Sequence, residues 1–441
     1  MDTRSLALVE RPVLSPQPRR LKVGVLVDLP LGLRAGGHVR CWERLAEAAL
    51  TLPEALDITV HFMGPTERRP LGETVRYIVE PPVFSTQRLP FLSHVPDHTD
   101  LAPRHRRLER YLPDYDVIHT TDAYFAYART ALRLGQRLGI PIVNSVHTNT
   151  PEYARVFTAQ TIERLFGTGV IARAMLQRLR VAKRVEAHML RQLAEYQQDC
   201  AFALVSRPDQ LEGARKRLGG RAALLRRGIN HVLFHPEKRN RHWLAAAYGI
   251  PVERFVVMCA GRLNRGKNVL LLADAMAALV AQGIDAQLVC AGDGEDRAAI
   301  LQRLGTRATC PGNVEPPDLA RLFAAADLFA FPSRIEESAN VVLEALASGL
   351  PVLVARDGGM GRVVLDGETG LVLPGDNPAP WVEAAAMLAG DRARRQQMGR
   401  MARRHAERAV PSWATVLAED LLPLWQIAAA SRQAKEASAA A

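Results

Sequence analysis

The chain is poor in cysteine, poor in aromatic residues and without any long apolar run, and each shortage removes a class of protein. Its five cysteines, Cys41, Cys200, Cys259, Cys290 and Cys310, are scattered over 441 residues with no C-x-x-C spacing, which argues against a disulfide scaffold or a zinc ribbon. They read as reduced core residues of a cytoplasmic protein. Aromatic residues make up 6% of the chain and do not interleave with its basic residues, so a nucleic-acid partner is not expected. No apolar stretch approaches the roughly 18 residues that span a bilayer. Met1 to Arg20 offers only Leu6 to Val9 as a hydrophobic region, so neither a membrane span nor a secretory leader is expected.

What is present suits two α/β domains. A chain of 441 residues, 48% hydrophobic and 23% charged, is long enough for two separate cores. Short β-branched runs alternate with helix-compatible sequence. Leu21–Asp28, Ile58–Met63, Asp116–His119, Ile142–His147 and Phe202–Ser206 predict one parallel, doubly wound sheet. After Phe234-His235-Pro236 the rhythm restarts with Phe255–Ala260, Ala286–Ala291, Leu328–Phe331, Pro351–Ala355 and Leu371–Leu373. The expected organisation is a loose tail over 1–20, a first Rossmann-like domain over 21–236 and a second over 237–410. A closing helix over 411–430 and a loose tail over 431–441 complete it. In such sheets ligands bind beyond the carboxyl ends of the strands, so two facing domains place a cleft between them.

The loops after the strands carry the candidate chemistry. Gly36-Gly37 precedes a helix, where bare N–H groups and the helix dipole suit a phosphate, although a simple tight turn fits the same residues. Gly261-Arg262 and Lys267 share one loop, and the two cations, five residues apart, can reach both phosphates of a diphosphate, although a solvated basic loop fits the same residues. Gly292-Asp293-Gly294 and Pro311-Gly312-Asn313 read as turns that pass near a ligand at most. The most specific element runs from Phe331 to Val352, with Glu336 and Glu344 eight residues apart before a glycine C-cap at Gly349. On a continuous helix the two carboxylates stand roughly 12 Å apart at 1.5 Å per residue. That exceeds the ~5 to 9.5 Å of a glycosidase pair and disfavours a hydrolase.

The E-x7-E element and the Glu344-Ala-Leu-Ala-Ser-Gly-Leu-Pro-Val352 run resemble the signature of the retaining nucleotide-sugar glycosyltransferases of family 4. The resemblance extends over residues 21–410 through Gly36-Gly37, Ser145-Val146-His147-Thr148, Arg226-Arg227-Gly228-Ile229-Asn230 with Phe234-His235-Pro236, Gly261-Arg262 with Lys267, and Gly292-Asp293-Gly294. It implies the GT-B fold: two Rossmann-like domains, a cleft between them and a crossover helix at the C-terminus. The His147-to-Tyr153 run is most similar to the branch that places sulfoquinovose, glucose or mannose on diacylglycerol-type lipids. Residue by residue, the resemblance implies that Glu344 holds the ribose and that Arg262 and Lys267 hold the diphosphate. It likewise implies that Glu336 and the backbone of Ser338, Ala339 and Asn340 face the donor sugar. Gly37 would approach the phosphate and His147 the sugar hydroxyls near the reacting carbon. The donor is expected to be a UDP- or GDP-linked sugar, with no cofactor and no metal ligand assigned. Glu337, Ser338 and Ala339 replace the branch's usual Thr, Phe and Gly, and a side chain at Ala339 narrows the approach to the sugar.

Charge points to the acceptor. Up to Pro236 there are 34 Lys and Arg against 23 Asp and Glu, and beyond it 23 of each, so the whole excess of +11 lies in the first half. Val170–Tyr196 predicts a continuous helix. On it Arg173, Arg180, Arg184 and Arg191 would lie within about 20° of one direction at 100° per residue. Together with Arg104, Arg106, Arg107 and Arg110 they suggest an anionic membrane surface as partner, with the protein peripheral on the inner face of the membrane. A core-packed helix with a solvated basic face accounts for the same pattern. The rival functions are a transferase with a soluble or polysaccharide acceptor, a nucleotide-sugar 2-epimerase, and an inactive scaffold.

Overall fold

The computed structural model describes residues 19–32, 35–92, 98–334 and 340–440. Strands β1 to β8 are Leu21–Pro30, Leu56–Met63, Glu67–Pro70, Val75–Glu80, Val117–Thr120, Ile142–Ser145, Phe202–Val205 and Ala222–Leu224. Strands β9 to β14 are Phe255–Ala260, Ala286–Ala291, Ala308–Gly312, Leu328–Phe331, Val352–Ala355 and Gly370–Leu373. The first sheet runs β3-β4-β2-β1-β5-β6-β7-β8 and the second β11-β10-β9-β12-β13-β14. Among the strand pairs of the described residues only β3 with β4 is antiparallel. Strands β9 and β10 are buried at all six positions each, which is why they read as unbroken apolar runs rather than alternating ones. Edge strand β3, Glu-Arg-Arg-Pro, is fully exposed, and its charges and proline discourage pairing with another sheet.

Each sheet reverses direction beside its first strand. β1 lies between β2 and β5, and β9 between β10 and β12. Chain leaving such a pair departs to opposite sides, which opens a crevice at the carboxyl ends of the strands.

Over the first sheet lie α1 (Gly37–Ala49), α2 (Ala126–Leu138), α3 (Thr150–Phe166), α4 (Val170–Arg173), α5 (Val181–Gln198) and α6 (Pro208–Leu218). With the second go α7 (Arg241–Tyr248), α8 (Val269–Ala281), α9 (Arg297–Leu304), α10 (Pro316–Ala325), α11 (Asn340–Ala347), α12 (Ala379–Gly390) and α13 (Arg392–Ala409). The chain then crosses back as α14 (Trp413–Val416) and α15 (Leu422–Ala440). Trp413, Val416, Leu421, Trp425 and Ala428 join the core of the first sheet beside Trp42 and Leu45, so the last helix completes the first domain. The crossing is tight. Ile229 N donates to Pro411 O at 3.0 Å, and a Cβ on Gly228 would stand 2.7 Å from the Trp413 ring. Arg226 fixes the closing segment through Asp420 and Glu419, both at 2.6 Å.

Three expectations differ from the structure. Strands β3, β4, β8 and β11 are present where none was predicted, β11 through the Pro311-Gly312 segment read as a turn. The stretch 431–440 is helical rather than loose, because its Ala, Gln, Lys and Glu are strong helix formers that extend a buried helix. The single helix over 170–196 is not formed. A π-type stretch spans Ala174–Arg178, and Arg180 takes φ +49°, breaking the axis before α5. The break gives α5 its own axis, which packs along α3 and buries Tyr196 in the core under α2. Arg173, Arg180, Arg184 and Arg191 therefore share no single helical face, though all four are exposed. Residues 1–18 of the predicted N-terminal tail lie outside the described residues. All five cysteines are buried and free.

Candidate active site

The two switch points face each other across a cleft of about 1250 Å³ lined by both domains. Its second-domain wall is built from interlocked loops. Gly261 N donates to Ala291 O at 2.9 Å, Leu263 N to Asp293 O at 3.0 Å and Asp296 N to Leu263 O at 2.9 Å. A Cβ on Gly292, where φ is +146°, would fall 1.9 Å from Gly261 O. One on Gly294 would fall 2.2 Å from Leu263 O. These glycines thus allow one loop to lie on the next, and Gly294 acts through that packing rather than by lining the cleft.

On that platform Arg262 and Lys267 line the cleft. Asn264 Oδ1 accepts the Lys267 N–H at 3.1 Å, and Lys267 Nζ stands 5.7 Å from the centroid of Phe331. Asn268, at φ +56°, donates to Gly375 O at 2.7 Å and pins the loop where α8 begins. Asn340 and Glu344 of α11 close the same end, and Asn340 Oδ1 is buried without a hydrogen-bond partner among the described residues. Burial pushes the Glu344 carboxyl up to about 7, against the pull of Arg44 and Arg40 from α1 across the cleft. Sequence reasoning missed those two arginines. Their signal was their i, i+4 spacing on the helix behind Gly36-Gly37. The expected sugar-facing residues Glu336, Ser338 and Ala339 lie outside the described residues.

From the first domain, α1 begins at Gly37 with no side-chain cap, so its first turn presents backbone N–H groups to the cleft. A Cβ on Gly36 would lie 3.4 Å from Arg262 Nη2, so the helix start and the cation of the other domain meet directly. A Cβ on Gly37 would touch nothing within 4 Å among the described residues.

His147 sits between these walls at the end of a buried chain of hydrogen bonds. Trp425 Nε1–H of α15 donates to His119 Nδ1 at 3.0 Å, which leaves the His119 proton on Nε2, 2.7 Å from Ser145 Oγ. Ser145 then donates to His147 Nε2 at 2.7 Å, and Trp42 Nε1–H points at the same nitrogen from 3.2 Å. Arg227 Nη1 stands 3.2 Å from His147 Nδ1 on the cleft side of the ring. Burial, with His38, Arg227 and His119 nearby, holds His147 well below the ordinary histidine range, so the ring is neutral. The His38 ring stacks on it at 4.6 Å and 9°. His38 is thus part of the site, and sequence reasoning missed both it and the His119–Ser145 relay.

Three buried carboxylates also flank the first-domain wall. Asp28 accepts from Tyr127 N at 2.9 Å, Asp100 from Val83 N at 2.7 Å and Phe84 N at 2.9 Å, and Asp122 from Tyr124 N at 2.7 Å. Each is occupied tying irregular backbone to the strand ends. Asp114-Tyr115-Asp116 is an Asp-x-Asp, but Asp116 accepts from Lys22 N and pairs with Arg19 before β5, at the amino end of the sheet. Among the described residues no group of three His, Cys, Asp or Glu could hold a metal ion.

Two parallel sheets with facing switch points, a cleft between them and a closing C-terminal helix define the GT-B class. The family model "Glycosyltransferase Family 4" matches residues 35–198, and "Glycosyl transferases group 1" matches residues 254–391. The chain belongs to the family 4 glycosyltransferases. It is 34% identical to D-inositol 3-phosphate glycosyltransferase of Arthrobacter sp. (strain FB24), over 41% of this chain and 44% of the relative. To sulfoquinovosyl transferase SQD2 of Arabidopsis thaliana it is 27% identical, over 72% and 58%. The matched part is thus about half the length of these two relatives. In fold it is similar to sucrose-phosphate synthase of Thermosynechococcus elongatus, with a TM-score of 0.65 at 20% identity, covering 95% of this chain and 100% of the other. Anabaena Alr3699/HepE, solved with UDP-glucose, gives 0.59 at 18% identity over 94% and 100%.

Proposed function

We propose that the protein is a retaining, metal-independent glycosyltransferase that moves a hexose from a UDP- or GDP-linked donor to a hydroxyl of a membrane lipid at the inner face of the membrane. The observation that carries this reading is the meeting of Gly36, at the start of α1, with Arg262 across the cleft. A 13-residue helix aims its dipole and free N–H groups at the place the two cations of the other domain reach. A diphosphate held there has its growing charge stabilised as the sugar–oxygen bond breaks, in a site that needs no rearrangement to do so. Glu344 takes the ribose hydroxyls, Asn340 and His147 take the sugar, and Arg227 steadies the His147 ring.

A neutral histidine held so far below its ordinary range is a poor general base. The acceptor's proton therefore passes to the departing phosphate oxygen on the same face of the sugar, and the configuration is retained. Support for a sugar nucleotide comes also from the UDP-glucose complex of HepE, and for a lipid acceptor from the similarity of the His147-to-Tyr153 run to the lipid-glycosylating branch. A phosphorylated soluble acceptor is the second reading, favoured by the D-inositol 3-phosphate glycosyltransferases among the relatives. Nucleoside diphosphate release should be measured from UDP- and GDP-sugars with chelator present, with diacylglycerol vesicles or D-inositol 3-phosphate as acceptor. Release that needs the vesicles supports the lipid reading. Release with the soluble acceptor alone selects the second, and a strict Mg²⁺ requirement rejects the metal-independent transfer.

A further inference from the structure

The cleft does not end at the sugar site. It continues along α3, where Phe157, Ile162, Met175, Val181, Met189 and Leu193 line it, and reaches the turn joining α3 to α4. Residues 163–171 are exposed without interruption. Leu165 is 61% accessible, Phe166 46%, Val170 75% and Ile171 61%, four large apolar side chains left largely exposed within seven residues. Isolated exposed apolar residues are ordinary, but a contiguous set on a projecting turn marks a surface that meets something apolar.

The charges beside it say what that is. Between residues 163 and 184 there are six basic side chains, Arg164, Arg173, Arg178, Arg180, Lys183 and Arg184, against one acidic, Glu163. All six are exposed, and none takes an ion pair among the described residues. An apolar tip ringed by cations fits the boundary of an anionic bilayer, where the tip enters the acyl region and the cations stay with the headgroups. The left-handed Arg180 and the broken helix have a place in this arrangement. The break separates the tip and α4 from α5, whose partners are α3 and the core cluster under α2.

We propose that the α3–α4 turn is a membrane-insertion tip for anionic phospholipid bilayers, and that it sets the apolar arm of the cleft against the membrane so that an acceptor's tail enters while its hydroxyl reaches the sugar site. The second clause rests on the lipid-acceptor reading, whereas the first does not. Neutral vesicles lack the charge to hold the cations, and the four apolar residues alone are too short to span or anchor.

The test uses the full chain with phosphatidylcholine vesicles, with and without phosphatidylglycerol, in a sedimentation assay. Wild type should sediment with the phosphatidylglycerol vesicles and be released by high salt. The variant Leu165→Ser/Phe166→Ser/Val170→Ser/Ile171→Ser should bind them ~10- to 100-fold more weakly. Its nucleoside diphosphate affinity in solution should be unchanged, which shows the fold intact. Val232→Ser, an exposed valine (83%) away from the tip, should bind vesicles as wild type does. Failure of wild type to bind phosphatidylglycerol vesicles at low salt overturns the proposal, as does a serine variant that binds equally well. Tip-dependent binding without sugar transfer to vesicle diacylglycerol leaves the tip standing and removes the lipid acceptor. Transfer to vesicle diacylglycerol that the serine variant performs at the wild-type rate does the reverse.

Discussion

The two walls of the cleft are built by different means. The wall from the second sheet consists of short loops after β9 and β10 and the start of α11, locked together by backbone hydrogen bonds with glycines at the points of contact. The wall from the first sheet is irregular, and buried polar side chains hold it: Asp28, Asp100 and Asp122 tie down its loops, and the Trp425–His119–Ser145 relay positions His147. One wall presents fixed cations and one carboxyl. The other presents an apolar surface that opens toward an exposed basic turn. The contrast is the one the proposed function requires, between a constant polar ligand, the nucleotide diphosphate, and a variable and partly apolar acceptor.

The comparison is broken most severely at the cations. Arg262→Ala or Lys267→Ala should lower turnover by ~10²- to 10³-fold, since each removes a preorganised charge that matters as the diphosphate departs. An equal fall in acceptor affinity with unchanged turnover would move these residues to the other wall. Next in size is Glu344→Ala, for which calorimetry should show donor binding ~10- to 100-fold weaker, because a buried charged acceptor is worth more than an ordinary hydrogen bond.

The same carboxyl sets a pH dependence. In the folded protein it keeps its proton up to about 7, whereas the unfolded chain loses it near 4.5. Its burial therefore costs stability progressively as pH rises from 4.5 through about 7, and nothing below that window. Ribose hydroxyls prefer the ionised form, so donor affinity should rise as pH passes upward through about 7, and Glu344→Gln should flatten that rise. A wild-type affinity that falls over this range would contradict the assignment. The smallest effect tests the relay. Ser145→Ala leaves the His119 Nε2–H without its acceptor and should cost about 1–3 kcal/mol in urea unfolding. It should also raise KM for the donor more than it lowers kcat, while Ser145→Thr restores most of both. Loss of stability with unaltered kinetics would make the relay purely structural.

The second-domain wall was largely legible in the sequence, because its signals are local. A strand, a glycine, a cation and a helix follow one another, and the E-x7-E element keeps its spacing whatever surrounds it. The first-domain wall was not, because its contacts join residues far apart in sequence. His119 and Ser145 lie near the ends of neighbouring apolar strands, a hint that their polar side chains meet, but Trp425 is 306 residues from His119. The helix over 170–196 misled because both its segments are amphipathic. Nothing in a helical period shows where the axis turns, so the break at Arg180 had no local signal. Strands β3 and β8 were missed for a related reason: a charged edge and a three-residue pairing need their neighbours to be strands at all.

The most direct measurement is nucleoside diphosphate release from UDP- and GDP-sugars, with and without anionic vesicles carrying diacylglycerol, alongside Glu344→Ala. The account predicts release from one donor that requires both the vesicles and Glu344. Release that ignores the vesicles, or that survives loss of Glu344, would contradict it.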